Sequence, residues 1–285
     1  MKSISIPVFQ GGRIYHFHHR TSHNFSDESF KYHYHPFFEI YVFLDGEAEF
    51  IIEETVYKLN RNDIMIVAPY KFHAPLPTHG IRFERIVINP FPSFFSEMHC
   101  ENYQEILFKA SLNPRIPAAD AEKFNLLSVI YAIDKYFNDD YTNKNAITSA
   151  KITEFIYNLY FKTKSSQINE KMTETKVKNT IVTDIIKYIN ENFIDISDVS
   201  SVTNVFHYSK NYLNNVFQKN MGVSIAKYVN IKRFENVEKL YRNGHSLEKA
   251  SVESGFNNYR HFAYAYKKEY GISPRNGLKS QPKLP

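Results

Sequence analysis

One cysteine, Cys100, stands in 285 residues. No intrachain disulfide can form, which excludes a secreted disulfide-stapled scaffold and makes a reducing cytoplasm the expected setting. Nothing near Cys100 would activate its thiol, so it reads as a packing residue. Nowhere does an uncharged apolar run reach the roughly 18 residues of a membrane-spanning helix, so no membrane partner is expected. The opening Met1-Lys2-Ser3-Ile4-Ser5-Ile6-Pro7 lacks the continuous apolar stretch of a signal peptide. Acidic charge is scarce in one place: residues 178–285 carry 16 Lys and Arg against 9 Asp and Glu, whereas residues 1–177 carry 19 against 21. A basic segment joined to a slightly acidic one points to a polyanion meeting the C-terminal part.

Large apolar side chains are plentiful, with 21 Tyr and 24 Phe, and the length suits two domains. In the first ninety residues they alternate. Phe37, Glu39, Tyr41 and Phe43 fall on one strand face and Ile40, Val42 and Leu44 on the other. Asp45-Gly46 is a turn dipeptide, and strand-like runs follow at 47–52, 56–59, 64–67 and 81–88. Short strands this closely spaced predict a small antiparallel barrel. His16, His18, His19 and His23 precede them in what reads as a solvated arm.

After Pro92 the period becomes helical. Two amphipathic helices are expected near 121–137 and 147–161, carrying more apolar residues than a thin barrel covers; the excess predicts a homodimer interface. Residues 163–177 are polar and charged and read as a linker, which divides the chain into domains at 1–162 and 178–285. The fold class is therefore α+β, a β-barrel with flanking helices followed by an all-α domain.

Within that second domain two stretches match at an offset of 49. Leu213 pairs with Phe262, Phe217 with Tyr266, Lys219 with Lys268, Gly222 with Gly271, Val223 with Ile272 and Ser224 with Ser273. Each is a helix with apolar residues four apart, closed by a glycine cap and followed by a serine that starts the next helix. Shorter helices precede them at 199–205 and 247–253, each followed by a tight turn. That order places a helix in the major groove. The predicted outer faces are Lys210, Asn211, Asn214, Asn215 and Gln218 in the first unit, and Asn257, Asn258, Arg260, His261 and Tyr264 in the second. Asn and Gln bond adenine edges bidentately, Arg bonds guanine, and both faces lack acids. Lys219, Lys267 and Lys268 are placed near the phosphates.

These residues resemble the AraC family over roughly 180–279. The stretch from Tyr208-Ser209-Lys210-Asn211-Tyr212-Leu213 to Gly222-Val223-Ser224 is similar to its first recognition helix and exit. Ile231-Lys232-Arg233-Phe234 is similar to its connecting helix. Gly255-Phe256-Asn257-Asn258-Tyr259-Arg260-His261-Phe262 through Gly271-Ile272-Ser273-Pro274 is similar to its second-unit signature. The resemblance implies two helix-turn-helix units in successive major grooves, with base-reading positions at Asn211, Asn214, Asn215, Arg260, His261 and Tyr264. Partners implied are double-stranded DNA, RNA polymerase, a small-molecule effector and a second copy of the chain, with activation of transcription the expected outcome. Departures are Thr203 and Ser251 where the family has Ala, Ala250 for a larger aliphatic, and Gly277 for an aromatic. They predict a looser second unit and final helix.

In the first domain, His33, His35 and Glu39 fall on one strand face, with Asp63, Pro69 and His73 downstream. The pattern resembles the cupin barrel, although Asn62 replaces a glycine and no Asn follows His73. The preferred reading is a small-effector pocket lined by Phe37, Tyr41 and Phe43, with His33, His35, Glu39 and His73 as polar contacts. No cofactor is assigned. The alternative, a cupin metalloenzyme with a helical accessory domain, would place a divalent metal on His33, His35, Glu39 and His73.

Overall fold

The computed structural model describes residues 14–23, 30, 32–140, 143–165, 175–176 and 181–279. The readings of Met1–Pro7 and of most of the 163–177 linker lie outside these. Two compact units are present, one including residues 34–175 and the other including residues 32–33 and 176–279.

The first unit opens with strands β1 (Tyr15–Ser22), β2 (Glu39–Asp45), β3 (Ala48–Ile52), β4 (Thr55–Lys58), β5 (Ile64–Val67), β6 (His73–Pro77) and β7 (Phe83–Pro90). Helices α1 (Pro92–Glu97) and α2 (Tyr103–Ser111), strand β8 (Arg115–Ile116) and helices α3 (Ala118–Lys123), α4 (Leu126–Phe137) and α5 (Lys144–Ser165) follow, then a short strand β9 (Thr175–Lys176). The strands make two sheets, ordered β1-β7-β2-β5-β8 and β6-β3-β4-β9. Strand β2 is central in the first and feeds two cores. Ile40, Val42 and Leu44 join Ile64, Ile66, Ile86 and Ile88 beneath the helices. Tyr41 and Phe43 join Phe50, Tyr57, Met65, Val67, Phe83 and Val87 in a core between the two sheets. Burial on both faces explains why β2 is apolar almost throughout.

The solvated arm expected around His16 to His23 is replaced by a strand. β1 pairs antiparallel with β7 from Tyr15↔Pro90 to Ser22↔Phe83. Tyr15 and Phe17 enter the helix-side core. His19 bridges Glu84 (2.8 Å) and Asp134 (3.1 Å), and His23 lies exposed just beyond the strand. Polar residues facing the other way hid the period. The helix expected at 121–137 breaks at Asn125, which takes φ 57° and starts α4. Leu126, Leu127, Val129, Ile130 and Ile133 of α4 meet Ile152, Phe155, Ile156 and Leu159 of α5 in the helix-side core. The apolar excess assigned to a dimer face is therefore largely spent inside the unit. Tyr131, Tyr157 and Phe161 remain 45–47% exposed. Among the described residues no helix is long and apolar enough to cross a membrane.

The second unit is helical: α6 (Ile181–Asn192), α7 (Val199–Phe206), α8 (Lys210–Met221), α9 (Ile225–Arg242), α10 (Leu247–Glu253), α11 (Tyr259–Tyr270) and α12 (Pro274–Lys279). The stripe on α6 (Val182, Ile185, Ile186 and Ile189) is buried. α9 links two cores: its Tyr228 ring meets Phe217 of α8 at 5.4 Å, and its Phe234 packs with Phe256, Phe262 and Tyr266.

Candidate nucleic-acid interface and sensor site

Each helical hairpin is fixed by caps that the local sequence supplies. In the first, Asp198 Oδ1 accepts from the N–H of Ser200 and Ser201 and opens α7. His207 closes α7 at φ 54°, and Ser209 Oγ accepts from Tyr212 N–H to open α8. In the second, Ser246 Oγ accepts from Lys249 N–H, and Asn258 Oδ1 accepts from His261 N–H at 2.9 Å to open α11. Gly222 (φ 71°) and Gly271 (φ 74°) both take the left-handed cap, donating to Gln218 and Lys267 carbonyls. These acceptors are again 49 residues apart, so the sequence repeat is a repeat of geometry.

Leu213, Phe217, Phe262 and Tyr266 face inward and are buried. Lys210, Asn211, Asn215, Gln218 and Lys219 lie exposed on α8; Asn257 and Asn258 lie exposed before α11, and Arg260, His261, Tyr264, Lys267 and Lys268 along it. Asn214 differs. It is half-buried, and its Oδ1 accepts from Ile225 N–H at 3.1 Å, pinning the start of α9 to α8. Asn258 likewise spends its carbonyl oxygen on a helix cap. α8 contains no acid, and the one acid of α11, Glu269, is held by Lys227 of α9 at 2.9 Å. Two exposed aromatics went unassigned in the sequence. Tyr208 and Tyr212 stack at 5.1 Å beside Asn211, and only their adjacency to the outer face signals them.

The two hairpins are tied through α9. Arg233 Nε donates to Phe193 O (2.9 Å) and Nη2 to Ile196 O (2.5 Å) and Ile194 O (3.3 Å), at the exit of α6. Its guanidinium also lies 5.7 Å from the Phe256 ring of the second hairpin.

In the first unit, His35, Glu39 and His73 bring ligand-type atoms within 4.8 Å of one another; His33 groups with the second unit. His35 Nδ1 faces Phe37 O at 2.8 Å, and His73 Nδ1 faces Lys71 O at 2.8 Å. Both Nδ1 atoms therefore carry protons, and both Nε2 atoms point at Glu39, at 3.1 and 3.5 Å. Asn89 Nδ2 also donates to Glu39. Burial alone would push the Glu39 carboxyl up; the charge of His73, hydrogen bonds from both histidines and the charge of His35 outweigh it and hold the carboxyl well below the usual range. Phe37 stacks on His35 at 4.2 Å, whereas Tyr41 and Phe43 pack with Phe50 and Phe83 across the interior. Downstream, Asn62 takes φ 70°, so it supplies the left-handed turn of the glycine it replaces. Asp63 is a structural anchor, bonded to Arg115 and to the N–H groups of Asn60 and Ala118.

Comparison with known proteins accounts for both units. A family model described as an AraC-like ligand binding domain matches residues 19–98, and one described as a helix-turn-helix domain matches residues 202–280. The chain belongs to the AraC family of transcription regulators. It pairs a ligand-binding domain with a helix-turn-helix DNA-binding domain. The uncharacterized HTH-type transcriptional regulator YdiP of Escherichia coli is 24% identical over 242 residues, covering 80% of this chain and 74% of YdiP. YtdP of Bacillus subtilis, also an uncharacterized HTH-type transcriptional regulator, is 28% identical over 104 residues; these are 36% of this chain and only 13% of YtdP. ToxT from Vibrio cholerae aligns over 94% of this chain and 99% of its own, at 12% identity and a TM-score of 0.36.

The departures from the AraC pattern are absorbed locally. Thr203 Oγ1 donates to Ser200 O and Ser251 Oγ to Glu248 O, so each added hydroxyl is satisfied one turn back. The final helix expected to be loose buries Leu278 to 1% exposure in the second-hairpin core. Cys100 is buried, and burial first and Glu101 second push its thiol up to about 11, as suits a packing residue.

Proposed function

We propose that this AraC-family regulator reads a specific duplex by laying α8 and α11 in two successive major grooves. The observation that carries it is the pair of exposed, acid-free outer faces on helices fixed in matching geometry. Asn211, Asn215 and Gln218 serve as base readers in one groove, and Arg260, His261 and Tyr264 in the other. Asn214 and Asn257 stand at the edges of these faces, and Asn258 shapes the second by capping it. Lys210, Lys219, Lys267 and Lys268 meet phosphates. Selecting binding sites from random duplexes with the purified chain tests this. A recovered motif with two blocks one helical turn apart is expected; recovery of unenriched sequence would reject specific reading.

The first unit serves as the effector site, around Phe37, Tyr41 and Phe43 with the His35, Glu39 and His73 group. Effector binding leads to activation through RNA polymerase in the cytoplasm. The exposed aromatics Tyr157 and Phe161 on α5, beside Tyr103 and Tyr160, support a homodimer face smaller than the sequence implied. A monomer by ultracentrifugation at micromolar concentration would reject the dimer.

One observation favours a second reading of the histidine group. Two neutral imidazoles with protonated Nδ1 would turn lone pairs toward a carboxylate, so a positive charge belongs between them, either a proton or a metal ion. His35, Glu39 and His73 fit a divalent cation, and backbone carbonyls already orient both rings as ligands. The ion would supply a Lewis-acidic contact for an effector. Elemental analysis of chelator-free protein, beside a His73→Ala variant, decides between proton and metal.

A further inference from the structure

The inner face of the first sheet holds a buried guanidinium, Arg85, with no carboxylate in ion-pair contact among the described residues, and an exposed one, Arg20, beside it. Across β1, β7 and β2 the register sets His18, Val87 and Tyr41 in one row and Arg20, Arg85 and Phe43 in the next. Val87, Tyr41 and Phe43 belong to the core between the two sheets, so their row partners share that face. Arg20 and Arg85 are thus like charges directly opposite one another, an arrangement that is ordinarily destabilising. Arg85 is 8% exposed. Its contacts are Ser22 Oγ at 2.6 Å and the rings of Phe30 and Phe83 at 5.2 and 4.9 Å. Among the described residues no carboxylate lies within ion-pair distance of Arg85 or Arg20. Two further polar atoms beside them are buried without a hydrogen-bond partner: Tyr41 Oη, on a residue 2% exposed, and His18 Nδ1. Proteins seldom leave such groups unmet, and a buried lone cation is costlier still.

We propose that Arg85, Tyr41 and His18 form a subsite for the carboxylate of a small organic acid, with Arg20 at its edge. The proposal deepens the reading of the first unit as effector site and rests on it. Arg85 supplies a forked pair of donors, Tyr41 its hydroxyl hydrogen, and His18 a ring nitrogen. Phe43 and Phe83 give the acid an apolar body to lie against. A single buried guanidinium suits a monoanion better than a phosphate dianion. Glu39 lies one row from Tyr41 and His18 and two rows, about 13 Å along the strand, from Arg85; its carboxylate is occupied by His35, His73 and Asn89.

The test uses the full chain with acetate, benzoate and hexanoate, each against its amide, read by melting temperature and calorimetry. At least one carboxylate is expected to raise the melting temperature while its amide does not. Arg85→Met should weaken that binding about tenfold or more. Without acid, Arg85→Met should be as stable as the parent or more so, because an uncompensated buried charge is gone. Tyr41→Phe, which keeps the ring, should fold normally and bind the carboxylate more weakly. Amides matching carboxylates throughout, or Arg85→Met responding like the parent, would overturn the subsite. Duplex binding by the same preparations reports separately: its loss with the carboxylate response intact would overturn the regulator reading alone.

Discussion

Gly277 makes room for Tyr266. A Cβ on Gly277 would come 2.6 Å from Tyr266 Oη and 3.2 Å from its ring. The departure from the AraC pattern at Gly277, a glycine in an aromatic position, thus leaves room for the Tyr266 hydroxyl. Gly277→Ala should cost about 1–3 kcal/mol by overpacking, despite alanine's better helix propensity. In a Tyr266→Phe background most of that cost should vanish. A double-mutant cycle by urea unfolding measures the coupling, and additive effects would deny the contact.

Arg233 should matter to both hairpins at once. Arg233→Ala strips donors from the carbonyls of Phe193, Ile194 and Ile196 and removes the cation beside Phe256; a loss of about 2 kcal/mol is expected. Arg233→Lys should recover under half of it, since an ammonium cannot fork to separated carbonyls. Affinity for a two-groove site should fall more than affinity for a one-groove site, because the angle between α8 and α11 is set through α9. Equal losses on both duplexes would place Arg233 in stability alone.

Most of the DNA-binding unit was legible because its signals are local. Ser224 caps a helix where the sequence places one, and α10 spans the expected residues. Asn214 and Asn258 misled in part: an exposed amide on a recognition helix and an amide spent on capping look alike until the neighbouring N–H is located. Strand β1 was missed for another reason. Its alternate residues are His16, His18 and Arg20, and their charge reads as solvent exposure unless β7 and β2 are known to lie beside them. Arg85 escaped for the same cause, since the absence of a counter-ion is a property of the fold and not of any sequence window.

His18 should make stability fall with acid. Burial first, then Arg20 and His16, lower its pKa from 6.5 to about 4. Between those values the unfolded chain binds the proton that the folded chain refuses. The stabilisation is therefore complete above about pH 6.5 and lost as pH falls toward 4. Partial exposure discounts the size to on the order of 1–2 kcal/mol. His18→Gln, which cannot titrate, should flatten urea-unfolding stability across this window. An unchanged slope would assign the acid sensitivity to other groups.

Arg260 and Lys268 lie exposed on the same helix and should fail differently on DNA. Arg260→Ala should cost about 1–3 kcal/mol on the selected site and relax preference at one base pair. Its loss on unrelated sequence should be smaller. Lys268→Ala should weaken all duplexes about equally and make the slope of log affinity against log salt shallower by about 1. Fluorescence anisotropy with selected and scrambled duplexes, repeated across a salt series, separates the two. If Arg260→Ala lowers affinity uniformly with unaltered base preference, that side chain touches phosphate, and base reading in the second groove falls to His261 and Tyr264.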